Sequence, residues 1–108
     1  MPLKQTPELA SLYVVEFDQG TIKIGYSTNP ELRMQNFAAH GAVFRIRVLR
    51  HWVSEPHMGA CLNEKTLIEW CRKRAVEVSG KEWFYGLEFD EVKKAIQQMV
   101  ASDGYLPL

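Results

Sequence analysis

One acidic side chain interrupts an apolar face of the longest predicted helix, which spans residues 54–75. Glu64 falls inside a stripe of small and aliphatic residues at helical spacing. The stripe consists of Ala60, Cys61, Leu67, Ile68, Cys71 and Ala75. A carboxylate among such neighbours is paired, protonated, bound to a metal ion or placed at the edge of a cleft. The alternative is a carboxylate at the stripe margin that reaches water or meets an arginine.

A tyrosine and a lysine fall on one face of a predicted hairpin. Its strands are predicted over residues 12–17 and 21–26, and a three-residue loop with Gly third is typical of a type I turn followed by a left-handed glycine. This register places Tyr13 opposite Gly25 and beside Lys23, so the pair could form the polar floor of a pocket. A two-residue loop would reverse the face of Lys23, and a lysine in solvent is the plain alternative.

An arginine lies one turn into the next predicted helix. Asn29 suits the N-cap and Pro30 suits the first helical position. The helix is predicted to run to about His40, with Gly41 ending it. Arg33 would then lie near the end of the second strand, either as a phosphate contact or as an ordinary surface arginine.

A basic strand is predicted next, over residues 43–53. The period of two puts Arg45, Arg47 and His51 on one face of this strand. Such a face either contacts phosphate groups or is simply solvated. This strand lies in the first half of the chain, where the basic residues are concentrated, so its basic face is a candidate for phosphate contacts.

The remaining elements complete a fold of the α+β class. A strand-like segment at 82–85 and an amphipathic helix at 89–100 follow the long helix. We expect a small central sheet containing antiparallel pairs, with three main strands and room for a short fourth, flanked by about three helices. One domain is predicted over residues 11–101, after a flexible lead-in at 1–10 and before a C-terminal tail at 102–108.

Composition excludes several classes of protein. The 108 residues contain 13 basic and 13 acidic side chains, which argues against a strongly cationic, non-specific nucleic-acid binder. No apolar run reaches the ~18 residues of a membrane helix, and the N-terminus lacks a signal-peptide pattern. Cys61 and Cys71 are too far apart along one helix to form a disulfide. They are interpreted as reduced core residues of a cytoplasmic protein without membrane contact.

The order of these residues resembles the GIY-YIG nuclease superfamily. Residues 23–33 read KIGYSTNPELR, similar to the KIG-x-S-x-x-P-x-x-R pattern of its small phage and fungal branch. Glu64 opens an E-x-x-L motif in a helix, and E-W-F follows at residues 82–84. The resemblance covers about residues 11–100 and implies a GIY-YIG-like domain. The chain departs from the superfamily at Tyr13, which no glycine precedes.

By this resemblance, four residues carry the chemistry. Tyr13 would sit at the attacking water as general base or proton relay, and Lys23 takes the place of the second triplet's tyrosine. Arg33 would contact the scissile phosphate. Glu64 would hold one divalent cation, Mg²⁺ or Mn²⁺, with few other protein ligands. DNA contacts are expected from Tyr26, Arg45, Arg47 and His51.

The implied activity is that of a divalent-metal-dependent endonuclease that hydrolyses DNA phosphodiester bonds. DNA is then the expected partner, and cutting both strands of a duplex would favour a homodimer. The alternative is a non-catalytic GIY-YIG-like module that binds nucleic acid or a protein, in the manner of a phage accessory factor or inhibitor.

Overall fold

A five-stranded antiparallel sheet forms the centre of the molecule, in the strand order β3-β1-β2-β5-β4. The computed structural model describes residues 9–102. The strands are β1 (Ser11–Phe17), β2 (Thr21–Ser27), β3 (Val48–Val53), β4 (Glu77–Ser79) and β5 (Trp83–Tyr85). The helices are α1 (Pro30–Val43), α2 (Ala60–Arg74) and α3 (Phe89–Ala101). The α+β prediction is confirmed, and two short strands extend the sheet beyond the three main ones.

The hairpin between β1 and β2 has the predicted register. Tyr13 pairs with Gly25, and Val15 pairs with Lys23. The loop ends on Gly20, whose φ of 77° is left-handed, and the Gly20 N–H donates to the carbonyl of Phe17 at 3.2 Å. The three-residue loop therefore puts Tyr13 and Lys23 on the same face of the sheet, as the spacing predicts.

The two faces of the sheet pack against different helices. We call the side covered by α2 and α3 the core face, where the apolar residues of β1 and β2 are buried with those of both helices. Its main members are Leu12, Val14, Ile22, Ile24, Leu67, Cys71, Phe84, Val92, Ile96 and Met99. The other side, the cleft face, carries a smaller cluster of Tyr13, Val15 and Phe17 under Phe37 and Met34 of α1. Burial on the core face is therefore the larger contribution to folding.

The prediction of a strand beginning at residue 43 is wrong. Helix α1 continues to Val43, so Gly41 does not end it as predicted; the glycine instead allows the backbone carbonyl of Ile46 to pack where a side chain at position 41 would begin. The Ile46 N–H donates back to the Gly41 carbonyl at 2.8 Å. Arg45 adopts a left-handed φ of 60° in this return, and Arg47 precedes β3. Arg45 and Arg47 therefore do not lie on a strand face, and only His51 does.

The long helix also begins later than predicted, at Ala60. Ser54 is not its cap: the Ser54 hydroxyl accepts the N–H of Leu12 at 2.9 Å and donates to the Glu55 carbonyl at 3.1 Å. This connection fixes the chain that leaves β3 against the start of β1. Cys61, expected in the core, is exposed, whereas Cys71 is buried.

Ala10, within the predicted lead-in, is tied to the connection that follows β3. Ala10 is buried and exchanges two backbone hydrogen bonds with His57. Most of the predicted lead-in, residues 1–8, and the end of the predicted tail, residues 103–108, lie outside the described residues. In the part of the chain that the structure describes, no helix has the length and apolar character needed to span a membrane.

Candidate active site

Tyr13 is completely buried, and its ring lies over the backbone of Gly25. A Cβ atom at position 25 would overlap the hydroxyl oxygen and the ring carbon that bears it. The close approach of the Tyr13 ring to the β2 backbone therefore requires glycine at position 25. The Phe37 ring meets Tyr13 edge-on, with centroids 5.7 Å apart, which fixes the tyrosine from the other side.

The hydroxyl of Tyr13 has no hydrogen-bond partner among the residues that the structure describes. Burial raises the pKa of Tyr13 to about 12. The guanidinium of Arg33 is the main opposing influence and lowers the pKa of Tyr13 without standard hydrogen-bond geometry, whereas Glu82 and Glu64 raise it. At neutral pH Tyr13 is therefore a protonated phenol with one unused donor.

Lys23 is buried beside Tyr13 and makes two polar contacts. Its ammonium group donates to the carbonyl of Ile24 at 2.9 Å and forms a short ion pair with the Glu82 carboxylate. The same nitrogen lies 5.9 Å from the centre of the Tyr13 ring and 5.6 Å from that of Trp83. Lys23 is thus held behind the tyrosine, with its charge balanced.

Arg33 owes its position to the start of α1. The Asn29 side chain accepts the N–H of Leu32 at 3.2 Å, and the Ser27 hydroxyl accepts the N–H of Asn29 at 3.0 Å. Pro30 occupies the first turn, so the predicted helix start is confirmed. Arg33 is exposed and forms no salt bridge with any described residue.

Glu64 is half-buried in the first turns of α2. Burial raises the pKa of this carboxyl group, and the nearby negative charge of Glu82 raises it further. Lys23 and the backbone N–H of Tyr26, which donates to the carboxylate, act in the opposite direction. The backbone of β2 is accessible at this point because β5 pairs only with residues 21–23 of that strand.

These side chains meet in one cleft of about 430 Å³. It is lined by Tyr13, Tyr26, Ser27, Thr28, Arg33, Glu64 and Glu82. The cleft therefore combines two carboxylates, one guanidinium and two phenols, with Lys23 buried behind its wall. Such a set can hold an oxygen-liking cation and orient an anionic group at the same time.

A comparison with protein-family models decides the family. The model of the T5orf172 domain matches residues 10–100, which is most of the chain. The chain belongs to the T5orf172 domain family. This is a phage-associated domain related to nuclease-like folds. No curated protein and no solved structure matches the chain.

The match of the T5orf172 domain runs from the residue before β1 almost to the end of α3. It therefore includes every residue that lines the cleft. The hairpin, the start of α1 and the first turns of α2 are the parts of the domain that position the cleft side chains.

Glu82 is a cleft residue that the sequence reasoning did not single out. The sequence places it at the start of an E-W-F strand, whereas its carboxylate pairs with Lys23 and its carbonyl accepts the N–H of Ile24 at 3.2 Å. The pairing of Trp83 with Lys23 brings Glu82 opposite Ile24, and this pairing between distant strands has no signal in the local sequence.

The four predicted DNA contacts are distributed unevenly in the T5orf172 domain. Tyr26 lines the cleft, and the neighbouring Cys61 side chain raises the pKa of Tyr26. Arg45, Arg47 and His51 are exposed and do not line it. Arg47 lies 3.7 Å from the Asp18 carboxylate, so part of the predicted basic surface is paired.

The donor set of the cleft suits a hard, mostly hydrated cation. Within residues 9–102 no group of three or more His, Cys, Asp or Glu side chains is arranged to hold a metal ion. Glu64 and Glu82 nevertheless face one cleft, and each disfavours ionisation of its neighbours. A divalent ion beside Glu64 would relieve that repulsion, and Mg²⁺ commonly binds through one or two carboxylates with water completing its shell.

Proposed function

We propose that this T5orf172 domain is a divalent-metal-dependent endonuclease of the GIY-YIG type, which hydrolyses phosphodiester bonds in DNA. The observation that carries the proposal is the meeting of Tyr13, Arg33 and Glu64 in one cleft from three separate elements. The order of these residues in the chain supports the same assignment.

Hydrolysis requires a water oxygen to form a bond to phosphorus while the bond to the leaving oxygen breaks. One water proton must be accepted, and the leaving oxygen must gain one. Arg33 is the group suited to the phosphate, because it is exposed and has no carboxylate partner among the described residues. Charge-assisted hydrogen bonds from a guanidinium would stabilise the charge that builds up on phosphate oxygens.

Tyr13 would orient the attacking water and act as, or relay to, the proton acceptor. Its unused hydroxyl provides the hydrogen bond. With a pKa of about 12 it is a poor base at neutral pH, and both Glu64 and Glu82 contribute to that value. Neutralising these carboxylates lowers the barrier to ionising the phenol.

Glu64 is the residue proposed to hold Mg²⁺ or Mn²⁺, with Glu82 beside it. The bound ion would supply positive charge to the phosphate oxygens. Lys23 pairs with Glu82 and lowers the pKa of Glu64, so it holds the Glu82 side chain in place and favours the charged form of Glu64. Lys23 is therefore proposed to act as a positioning residue within the catalytic group.

The test is cleavage of supercoiled plasmid and labelled DNA under single-turnover conditions with Mg²⁺ or Mn²⁺. Glu64→Gln keeps the side-chain volume and removes the charge, so we expect cutting to slow by about 10²–10³-fold while DNA binding and melting temperature persist. Glu69→Gln is the matched control, because Glu69 is an exposed carboxylate on the same helix. Normal cutting by Glu64→Gln would remove this residue from the mechanism.

A non-catalytic module that binds nucleic acid or a protein, as an accessory factor or inhibitor, is the second candidate. The observation that favours it is the pKa of Tyr13, about 12, on a fully buried phenol. This candidate predicts DNA binding without cutting by any divalent ion. The endonuclease predicts cutting, and a double-strand cut predicts a dimer of the chain on DNA, measurable by light scattering.

A further inference from the structure

A second cavity, of about 450 Å³, opens on the cleft face of the sheet. Its walls are aromatic: Phe17, Phe37, Phe44, Trp83 and Tyr85. Polar groups on its lining come from Gln19, Thr21, His40 and Ser79. None of the proposed catalytic residues lines it. We refer to it as the aromatic cavity.

Strand pairing brings the rings of the aromatic cavity together. Tyr85 pairs with Thr21 and Trp83 pairs with Lys23, so both rings emerge on the cleft face. Trp83 then packs against Phe17 with centroids 5.4 Å apart and planes inclined by 36°. Phe37 stands perpendicular to Trp83 at 6.5 Å. The walls are therefore fixed by two strands and one helix.

The aromatic cavity is open to solvent. Phe44 is 73% exposed, and Trp83 and Tyr85 are 36% and 38% exposed. No described residue covers these rings. A cluster of uncovered aromatic side chains beside a polar cleft is typical of a binding surface, because exposing that apolar area to water is unfavourable.

The aromatic cavity and the proposed catalytic cleft share a wall. Phe37 contacts Tyr13 of the cleft at 5.7 Å and Trp83 of the cavity at 6.5 Å. The Lys23 ammonium also lies between the rings of Tyr13 and Trp83. A nucleic-acid strand with a phosphate in the cleft could therefore place a neighbouring base at the cavity, because the two sites share Phe37.

Basic residues extend from the aromatic cavity along the chain. Ile46 lines the cavity, and Arg45 and Arg47 precede and follow it on an exposed turn. Arg45 forms no salt bridge within residues 9–102. The surroundings of the cavity thus combine aromatic faces with cationic groups, which is the combination that binds single-stranded nucleic acid.

We propose that the aromatic cavity binds an unstacked nucleobase of the strand whose phosphate occupies the cleft. The substrate is then single-stranded or locally unpaired DNA, because a base inside a duplex is stacked on both sides and cannot enter. Stacking against aromatic rings tolerates any base, and the polar groups on the lining offer hydrogen-bond partners for base edges. This inference rests on the proposed function, whose cleft supplies the phosphate contact.

The experiment is a titration of a labelled single-stranded oligonucleotide in EDTA, so that no cleavage occurs. A second oligonucleotide carries the same phosphates but abasic sites in place of its central bases. Phe44→Ala should weaken binding of the intact strand by ~5-fold or more, which is the size of one lost stacking contact. Binding of the abasic strand should change by less than twofold.

The matched control is Val43→Ala, since Val43 is 75% exposed, adjacent to Phe44 and not part of the lining. Phe44→Tyr keeps a ring and should bind as the wild type does. Tyr85→Leu is a second variant that removes another ring while preserving bulk, and melting temperatures are recorded for all of them. Both ring-removing variants should weaken binding of the intact strand and leave binding of the abasic strand nearly unchanged.

Equal loss for intact and abasic strands, or equal loss in Val43→Ala, would overturn the inference. So would wild-type protein that binds both strands equally well. Duplex cutting that persists with unchanged rates in Phe44→Ala and Tyr85→Leu would reject the base site while leaving the endonuclease proposal standing. A shift of Phe44→Ala from dimer to monomer with unchanged oligonucleotide binding would assign the cavity to a second copy of the chain.

Discussion

The two faces of the sheet are built from alternating residues of the same strands, yet they are organised differently. The core face buries apolar side chains under two helices. The cleft face is covered by one helix and buries a lysine and a phenol whose hydroxyl has no described partner. Folding energy is concentrated on the core face, whereas Tyr13, Lys23 and Arg33 of the proposed site lie on the cleft face, and Glu64 reaches the same cleft from α2.

The sharpest test of this division compares two adjacent residues of β2. Ile24→Ala removes a fully buried side chain from the core face and should lower the free energy of unfolding by about 2–5 kcal/mol. Lys23→Met combined with Glu82→Gln keeps both stems on the cleft face and removes both charges of the ion pair, so it should change stability far less. Urea denaturation and single-turnover cleavage are measured for Ile24→Ala and for this double variant. A large loss of stability in the double variant with normal cutting would break the comparison.

The next largest effect on stability is expected from the close contact between Gly25 and the Tyr13 ring on the cleft face. Gly25→Ala would force its methyl group into the Tyr13 ring, so we expect a cost of about 1–3 kcal/mol together with slower cleavage. A double-mutant cycle with Tyr13→Leu isolates the contact, because the smaller side chain removes the overlap. A coupling energy below ~0.5 kcal/mol would show that the two positions do not compete for space.

Removal of basic side chains should also distinguish the surroundings of the aromatic cavity from the helices of the core face in DNA binding. Replacing Arg45 and Arg47 by Ala is expected to weaken DNA binding and to reduce the salt dependence by up to about two phosphate contacts, although Arg47 already pairs with Asp18. Lys73→Ala with Lys94→Ala removes the same charge from helices that pack on the core face. Titrations at several salt concentrations measure both slopes. Equal changes in the two double variants would indicate non-specific attraction by the whole surface.

The smallest expected effect is the loss of protein stability caused by ionisation of Glu64 in the folded state. Its pKa is raised in the folded protein, so folding favours the protonated carboxyl. That contribution is fully present at pH values below the ordinary pKa and is lost as the pH rises through the folded value. Without divalent ions, Glu64→Gln should therefore melt slightly higher at pH 7, on the order of 2–4 °C for each ~0.5 kcal/mol.

Differential scanning calorimetry at several pH values provides the measurement. The difference between Glu64→Gln and the wild type should vanish below about pH 3, where the carboxyl group is protonated in both states. Added Mg²⁺ should stabilise the wild type more than the variant, because a ligand stabilises the state that binds it. A variant that melts lower at neutral pH would show that ionised Glu64 is a net stabilising group.

Local rules predicted the parts of the site that depend on short-range structure. The turn that ends on Gly20 fixes the pairing of Tyr13 with Gly25 within a few residues, and Asn29 with Pro30 fixes the start of α1. Each follows from backbone geometry and from hydrogen bonds between near neighbours. These features could therefore be predicted without knowledge of the tertiary structure.

Tertiary contacts determined what the sequence reasoning missed. Alternation from residue 43 onwards favours a strand, but the helix runs to Val43 and the chain then folds back so that the Ile46 backbone packs on Gly41, which keeps Arg45 and Arg47 off the sheet face. Glu82 enters the cleft only because β5 pairs with β2 across nearly 60 residues of sequence. No local pattern distinguishes that carboxylate from a surface one.

The short β5 has a consequence for how the protein associates with itself. Within residues 9–102, β2 has no strand partner on the β5 side beyond residue 23 apart from the Ile24 contact, and an unpaired edge is a template for strands of other chains. Here the Tyr26 N–H is occupied by the Glu64 carboxylate, with Glu82 and Arg33 around it. Inward-pointing charges are a common protection for such edges. By this reasoning Glu64, the proposed cation ligand, also hinders edge-to-edge aggregation, because its charged side chain occupies the open edge of β2.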